Sequence, residues 1–297
     1  MQHELINFET KKRKRIDTFQ YFNIPYLILM VALVFIPLFL IIWYSITYQQ
    51  TERMYLFTLN YYRKFFNAAN FSFVYALFKS IFVAFIATLG CFLIGYPLAY
   101  FISKRNIKYQ GILILLVTVP MWINMLIRTL AVKSLIAEGG IILKFFQMLG
   151  YSKSTLLGTN IAIIISLIID MLPFMVLPIY TLLSKMDHSL IEAARDLGAK
   201  EHQIFTRVVF PLTLPGIFSG ISLVFLPSAT SIVIPNILGN GINNNFIGYI
   251  IEHLFMKGNI ENGAYSYGSA IAVITMLSVM FIIFVLRKVV NRYEQQD

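Results

Sequence analysis

Apolar residues run in long stretches along this chain, and polar residues gather in short islands between them. Six stretches approach or exceed the ~20 residues with which a helix crosses the hydrocarbon core of a bilayer: residues 24–46, 73–102, 111–127, 160–183, 217–238 and 267–286. The pattern predicts an all-α membrane protein with six transmembrane helices. The first stretch is longer than the apolar region of a cleavable signal peptide and no small-residue cleavage site follows it, so it is expected to stay attached. Three connectors, residues 47–72, 128–159 and 239–266, each exceed twenty residues. In the second, the Gly139-Gly140 pair divides two short apolar runs and predicts small surface helices. The third, with its GNGINNN tract, reads as loop. The expected division is a basic amino-terminal segment at 1–23, a six-helix domain at 24–286 with a polar island at 184–216, and a tail at 287–297.

Composition agrees with a bilayer as solvent: 58% of residues are hydrophobic, 13% are charged, and the mean hydropathy is +0.72. The net charge of +10 could point to nucleic acid, but its placement says otherwise. Fifteen of the twenty-four basic residues fall in four segments on one side of the predicted topology: Lys11 to Arg15, Lys104 to Lys108, Lys185 to Arg207, and Arg287 to Arg292. The positive-inside rule then puts both termini in the cytoplasm. Catalytic chemistry finds no support. There is no Gly-Lys dipeptide and so no P-loop, the four histidines are scattered, and the lone Cys91 builds neither a disulfide nor a zinc site.

The island, EAARDLGAKEHQIFTRVVFPL at 192–212, is long for a connector on its side. Ser189 and Glu192 form an S-x-x-E capping box that starts a helix at Leu190, and Gly198 ends it in the left-handed conformation. Leu190, Ala193, Ala194 and Leu197 then share a narrow face with small side chains at its middle. A second helix from about Lys200 carries Ile204, Phe205, Val208 and Val209 on one side, with Pro211 and Pro215 breaking it before the fifth span. Local chemistry leaves two readings open, a solvated hairpin and a surface for close docking. A third, a helix-turn-helix, lacks room for a supporting third helix.

The spacing of Glu192-Ala193-Ala194, three residues, Gly198, nine residues and Val208-x-Phe210-Pro211 resembles the EAA loop of ABC importer permeases, EAA-x3-G-x9-I-x-L-P. Val208 and Phe210 replace the family's Ile and Leu. The resemblance implies the type I importer permease (MetI-like) fold, with Glu192, Ala193, Ala194, Asp196, Leu197, Gly198 and Pro211 in the loop that docks on a separate cytoplasmic ATPase. ATP and magnesium would then be held by that partner, and this chain would bind no cofactor.

VPMWINMLIR at 119–128, LPFMVLPIY at 172–180, EAARDLGA at 192–199 and PLTLPGI at 211–217 are similar to the permease subunit of spermidine/putrescine importers. AYSYGSA at 264–270 departs from it, since related permeases carry Trp-Pro before the aromatic. This resemblance implies polyamine uptake by alternating access, with a second permease subunit, an ATPase dimer and an extracytoplasmic binding protein as partners. The alternatives are another cargo (thiamine, ferric iron, sulfate or molybdate), a membrane-anchored regulator, and a secondary transporter, which would show inverted repeats. Asp170 is the one acidic residue deep in a span, either a contact for an ammonium group or the partner of a neighbouring cation such as Arg128. Trp122, Asn124 and Tyr180 are further pathway candidates, or interfacial anchors. Pro120, Pro173, Pro178, Pro227 and Pro235 mark expected kinks.

Overall fold

A computed structural model describes residues 25–51, 54–66, 71–152, 154–239, 245–257 and 263–294. The basic run at 11–15 and residues 240–244 of the Gly/Asn tract lie outside them. The described residues open with α1 (Pro25–Ile46), whose apolar side chains are almost all exposed, Trp43 packing on Phe57 near its end. A small antiparallel hairpin follows, β1 (Thr47–Thr51) with β2 (Met54–Phe57), Thr47 opposite Phe57, and then α2 (Asn60–Phe66). This hairpin is the one departure from an all-helical chain among the described residues.

The centre of the molecule is three helices packed on one another: α3 (Phe71–Ser103), α7 (Asn160–Lys185) and α10 (Phe210–Ala229). Glycines permit the approach. A side chain at Gly216 would meet the Pro178 carbonyl oxygen at 2.9 Å, and one at Gly220 would meet the Met175 sulfur at 2.7 Å. The buried apolar residues form two main clusters along these helices. One, at the end of the long connectors, holds Val83, Val132, Ile136, Leu143, Leu167, Ile234 and Leu238. The other, at the island end, holds Tyr96, Met175, Ile179, Ile204, Val209 and Ile217. The last helix, α13 (Ala264–Glu294), packs against α10 and runs past the expected end of the sixth span.

The third span is not one helix. Helix α4 (Ile107–Thr118) ends in a 3-10 turn, Val119–Trp122, and α5 (Met125–Ile136) departs at 96°. Pro120 stands at the start of the turn without an N–H to donate, and Asn124 starts the new helix by accepting from the Leu126 N–H at 2.8 Å. The small helix after it lies on the surface as expected, with Ile141, Phe145 and Met148 exposed and Leu143 turned inward. Gly139 turns the chain with a φ of 79° into α6 (Ile141–Met148), and Val132, Ile136 and Leu143 are buried in the first cluster.

The fifth span also ends early. Beyond Ala229 a break at Thr230, Ser231 and Ile232 leads to a separate short helix, α11 (Val233–Leu238), folded back into the core. Pro235 explains the break, because it cannot donate to the Ser231 carbonyl four residues earlier. The third long connector contains a helix as well, α12 (Ile247–Lys257), seated against α13 and tied to α3 by the Ile247 N–H donating to Ser80 Oγ at 2.9 Å. Its apolar positions recur at helical spacing, a signal that the neighbouring Gly/Asn tract obscures.

Candidate functional site

The island folds into α8 (His188–Asp196) and α9 (Glu201–Ile204). The cap of α8 is Asp187 rather than Ser189: its side chain accepts from the Ser189 N–H at 2.9 Å, so the helix begins two residues before Leu190. Asp187 outcompetes the serine because a carboxylate at this end also interacts favourably with the helix dipole. Gly198 closes α8 with a φ of 79°, its N–H donating to the Arg195 carbonyl at 2.9 Å and the Ala199 N–H to that of Ala194 at 3.1 Å. A side chain at Gly198 would meet nothing within 4 Å. The glycine is required by its backbone conformation and not by crowding within this chain.

The expected apolar face divides in two. Leu190, Ala193 and Leu197 point outward, with Leu197 89% exposed, whereas Ala194 and Ile191 pack inward on the second core cluster. Glu192 and Asp196 are exposed beside the outward stripe. An exposed leucine pair with a small residue between them, on a helix held at both ends, is a ready docking surface. Arg195 pairs with Glu201 at 2.6 Å across the α8–α9 turn. Donating that hydrogen bond, and the charge of Glu201, raise Arg195 above the ordinary arginine value.

Pro211 and Pro215 do not break the helix that leads into the fifth span. A π-helical turn, Phe205–Val209, joins α9 to α10, with the Phe210 N–H reaching back to the Phe205 carbonyl. The widened turn shifts the hydrogen-bond register just ahead of Pro211, so its missing donor falls where the helix restarts. Island and fifth span are therefore one continuous helix from Glu201 to Ala229. Phe205 wedges this joint against α3, edge-on to Tyr96 at 5.8 Å and to Tyr100 at 5.4 Å, and the Tyr96 hydroxyl pairs with Thr213 Oγ1 at 3.1 Å.

The four pathway candidates separate. Asp170 is 3% exposed and its Oδ1 lies 2.9 Å from Arg128 Nη1 of α5. Its Oδ2 and the Arg128 Nε have no hydrogen-bond partner among the described residues. Asn124 serves as the cap of α5. Tyr180 donates its hydroxyl to Gln110 Oε1 at 2.9 Å, and the Gln110 amide donates to the Ser103 and Arg105 carbonyls at 3.0 and 2.7 Å. Trp122 is open, 76% exposed at the bend between α4 and α5, where Asn124 is exposed as well. Gln110 is a residue that sequence reasoning misses, since a glutamine at the foot of a helix carries no signal of its own.

Residues 91–294 match the sequence profile of the binding-protein-dependent transport system inner membrane components. The chain belongs to this family. Among curated relatives, the spermidine/putrescine transport system permease protein PotB of Haemophilus influenzae is 34% identical over 89% of this chain and 92% of its own length. PotB of Escherichia coli is 36% identical over 77% of this chain and 82% of its own. Among solved structures, a bacterial ABC transporter involved in import of the acidic polysaccharide alginate shares the fold, with a TM-score of 0.73 at 17% identity over 95% of this chain and 98% of that one. A chain of the MetNI methionine ABC transporter gives 0.54 at 18% identity over 75% of this chain and 96% of that one. The protein is thus a multi-pass inner-membrane permease of an ABC importer.

Proposed function

We propose that this chain is the membrane permease through which a polyamine, spermidine or putrescine, is taken up by alternating access powered by a separate ATPase. The observation that carries the cargo is the likeness to PotB permeases across nearly the full length of both chains. Helix α8 is the piece the motor grips: it offers Leu190, Ala193 and Leu197 outward, while Ala194, Ile191 and the continuous helix behind it pass the movement into the bundle. The motor is an ATPase dimer that binds ATP and magnesium. A second permease subunit completes the pathway, and an extracytoplasmic binding protein delivers the cargo. Both termini and the island face the cytoplasm, as the clustering of basic residues there supports. Trp122 is the pathway contact best placed for an ammonium group, because its face is open and a cation over an indole is attracted to it. For Asp170 to hold an ammonium as well, the cargo would compete with Arg128.

The test is ATP hydrolysis by the complex reconstituted with the ATPase, second permease and binding protein encoded beside it, titrated with spermidine, putrescine, thiamine and sulfate. Stimulation by polyamines alone is expected. Stimulation by another solute instead overturns the cargo and leaves the coupling intact, and failure to associate with any ATPase overturns the coupling.

A further inference from the structure

The foot of the third span is tied to α7, the helix that runs directly into the coupling loop, by contacts that the EAA motif does not include. Gln110 sits in the second turn of α4 and uses both ends of its amide. Its nitrogen holds the Ser103 and Arg105 carbonyls of the α3–α4 turn, and its oxygen accepts from Tyr180 of α7. A cavity of about 380 Å³ lies between this turn and the island, with Lys104 and Gln110 on one wall and Glu192, Arg195 and Glu201 on the other. The α3–α4 turn and the docking helix therefore share one cavity.

Beyond this foot the third span is loosely held. Neither α4 nor the 3-10 turn after it has a buried residue, and the next polar tie to α7 is the Arg128–Asp170 ion pair past the 96° bend. A strut whose apolar packing is limited to the partly buried Ile114 and Val117 is led by its polar fixed points. Its fixed point on the motor side is a three-way hydrogen-bonded junction, in a partly buried setting where directional polar contacts outweigh what they are worth in water.

We infer that Tyr180 and Gln110 are positioning residues that make the foot of the third span move as one body with α7 and the coupling loop, carrying the motor's stroke to the bend at Trp122. The inference rests on the reading of α8 as the docking helix and is independent of the cargo. Removing either side of the junction lets the motor turn over while the bend lags behind.

The experiment uses the whole reconstituted complex and reads cargo taken up per ATP hydrolysed. Tyr180→Phe and Gln110→Leu are each expected to assemble with the ATPase and to lower that ratio about threefold or more, within the range that single residues in a coupling network carry. Combined, they are expected to do no more harm than either alone, because they sever one junction. In Gln110→Cys/Tyr180→Cys, a bifunctional thiol reagent of matching length is expected to restore the ratio after folding is complete, which a mere folding defect would not allow. Cys91 is buried and stays silent. An unchanged ratio in both single variants overturns the inference, as does a cross-link that stops transport instead of restoring it. Failure of the wild-type chain to associate with an ATPase would overturn the docking reading, and this inference with it.

Discussion

At the scale of single residues, Gly198 and Asp170 show how differently a sequence displays its constraints. Gly198 needs only its own backbone: a φ of 79° is costly for most side chains, so a glycine shortly after an alanine pair already marks the end of α8. Since a side chain there would meet open space within this chain, and aspartate is one of the few residues that tolerate the left-handed conformation, Gly198→Asp should leave the permease inserted and folded while weakening its association with the ATPase by roughly tenfold or more, ~1.4 kcal/mol. Co-purification of the two proteins measures this, and undiminished capture would remove α8 from the interface. Asp170 was legible as an anomaly with two readings, and the structure bears out the pairing with Arg128, forty-two residues away on a helix whose direction depends on the bend. Arg128→Gln alone strands a buried carboxylate and should cost about 3–5 kcal/mol, whereas Arg128→Gln with Asp170→Asn should recover most of that loss. Thermal unfolding in detergent reads both. A double variant no steadier than the single would mean that the two residues are not coupled. A double variant that is stable yet fails to transport would keep Asp170 in the cargo pathway.

At the scale of elements, hydropathy located five helices long enough to cross and a sixth apolar stretch that the structure bends by 96°, but it misjudged where the third and fifth stop. The reason is that backbone hydrogen bonding, not apolarity, ends a helix: Pro120 with the cap at Asn124 divides the third crossing, and Pro235 divides the fifth, while apolar residues continue through both breaks. The same chemistry misleads in reverse at Pro211, where a π-turn supplies the register that proline needs. Helix contacts are likewise set by small residues that periodicity cannot weigh. Gly216→Ala drives a methyl group toward the Pro178 carbonyl and the Ile179 backbone, which cannot step aside. It should destabilise the α7–α10 contact by about 1–3 kcal/mol. Gly90→Ala meets only the mobile end of Ile168 and should cost less. Melting temperatures of the two variants in one detergent settle the order, and equal losses would contradict the backbone contact.

At the scale of the molecule, the basic segments predict an orientation that side-specific labelling checks. Met148→Cys, on the long-connector end, and Lys200→Cys, in the island, are both exposed, and the native thiol is buried. In intact spheroplasts an impermeant maleimide should label position 148 and spare position 200. The reverse pattern would invert the topology and place the docking helix outside the cell.

What the sequence determined by itself was the solvent, the places of the long apolar stretches, the expected side of the basic segments and the EAA spacing, all of which depend on composition or on residues close together along the chain. Tertiary structure decided the rest: which of its two readings Asp170 takes, the inward turn of Ala194, and the junction of Tyr180 with Gln110 seventy residues apart. Each of these depends on which faces of distant helices meet. That outcome arises from packing at glycines and from bends at prolines, and no local pattern encodes it.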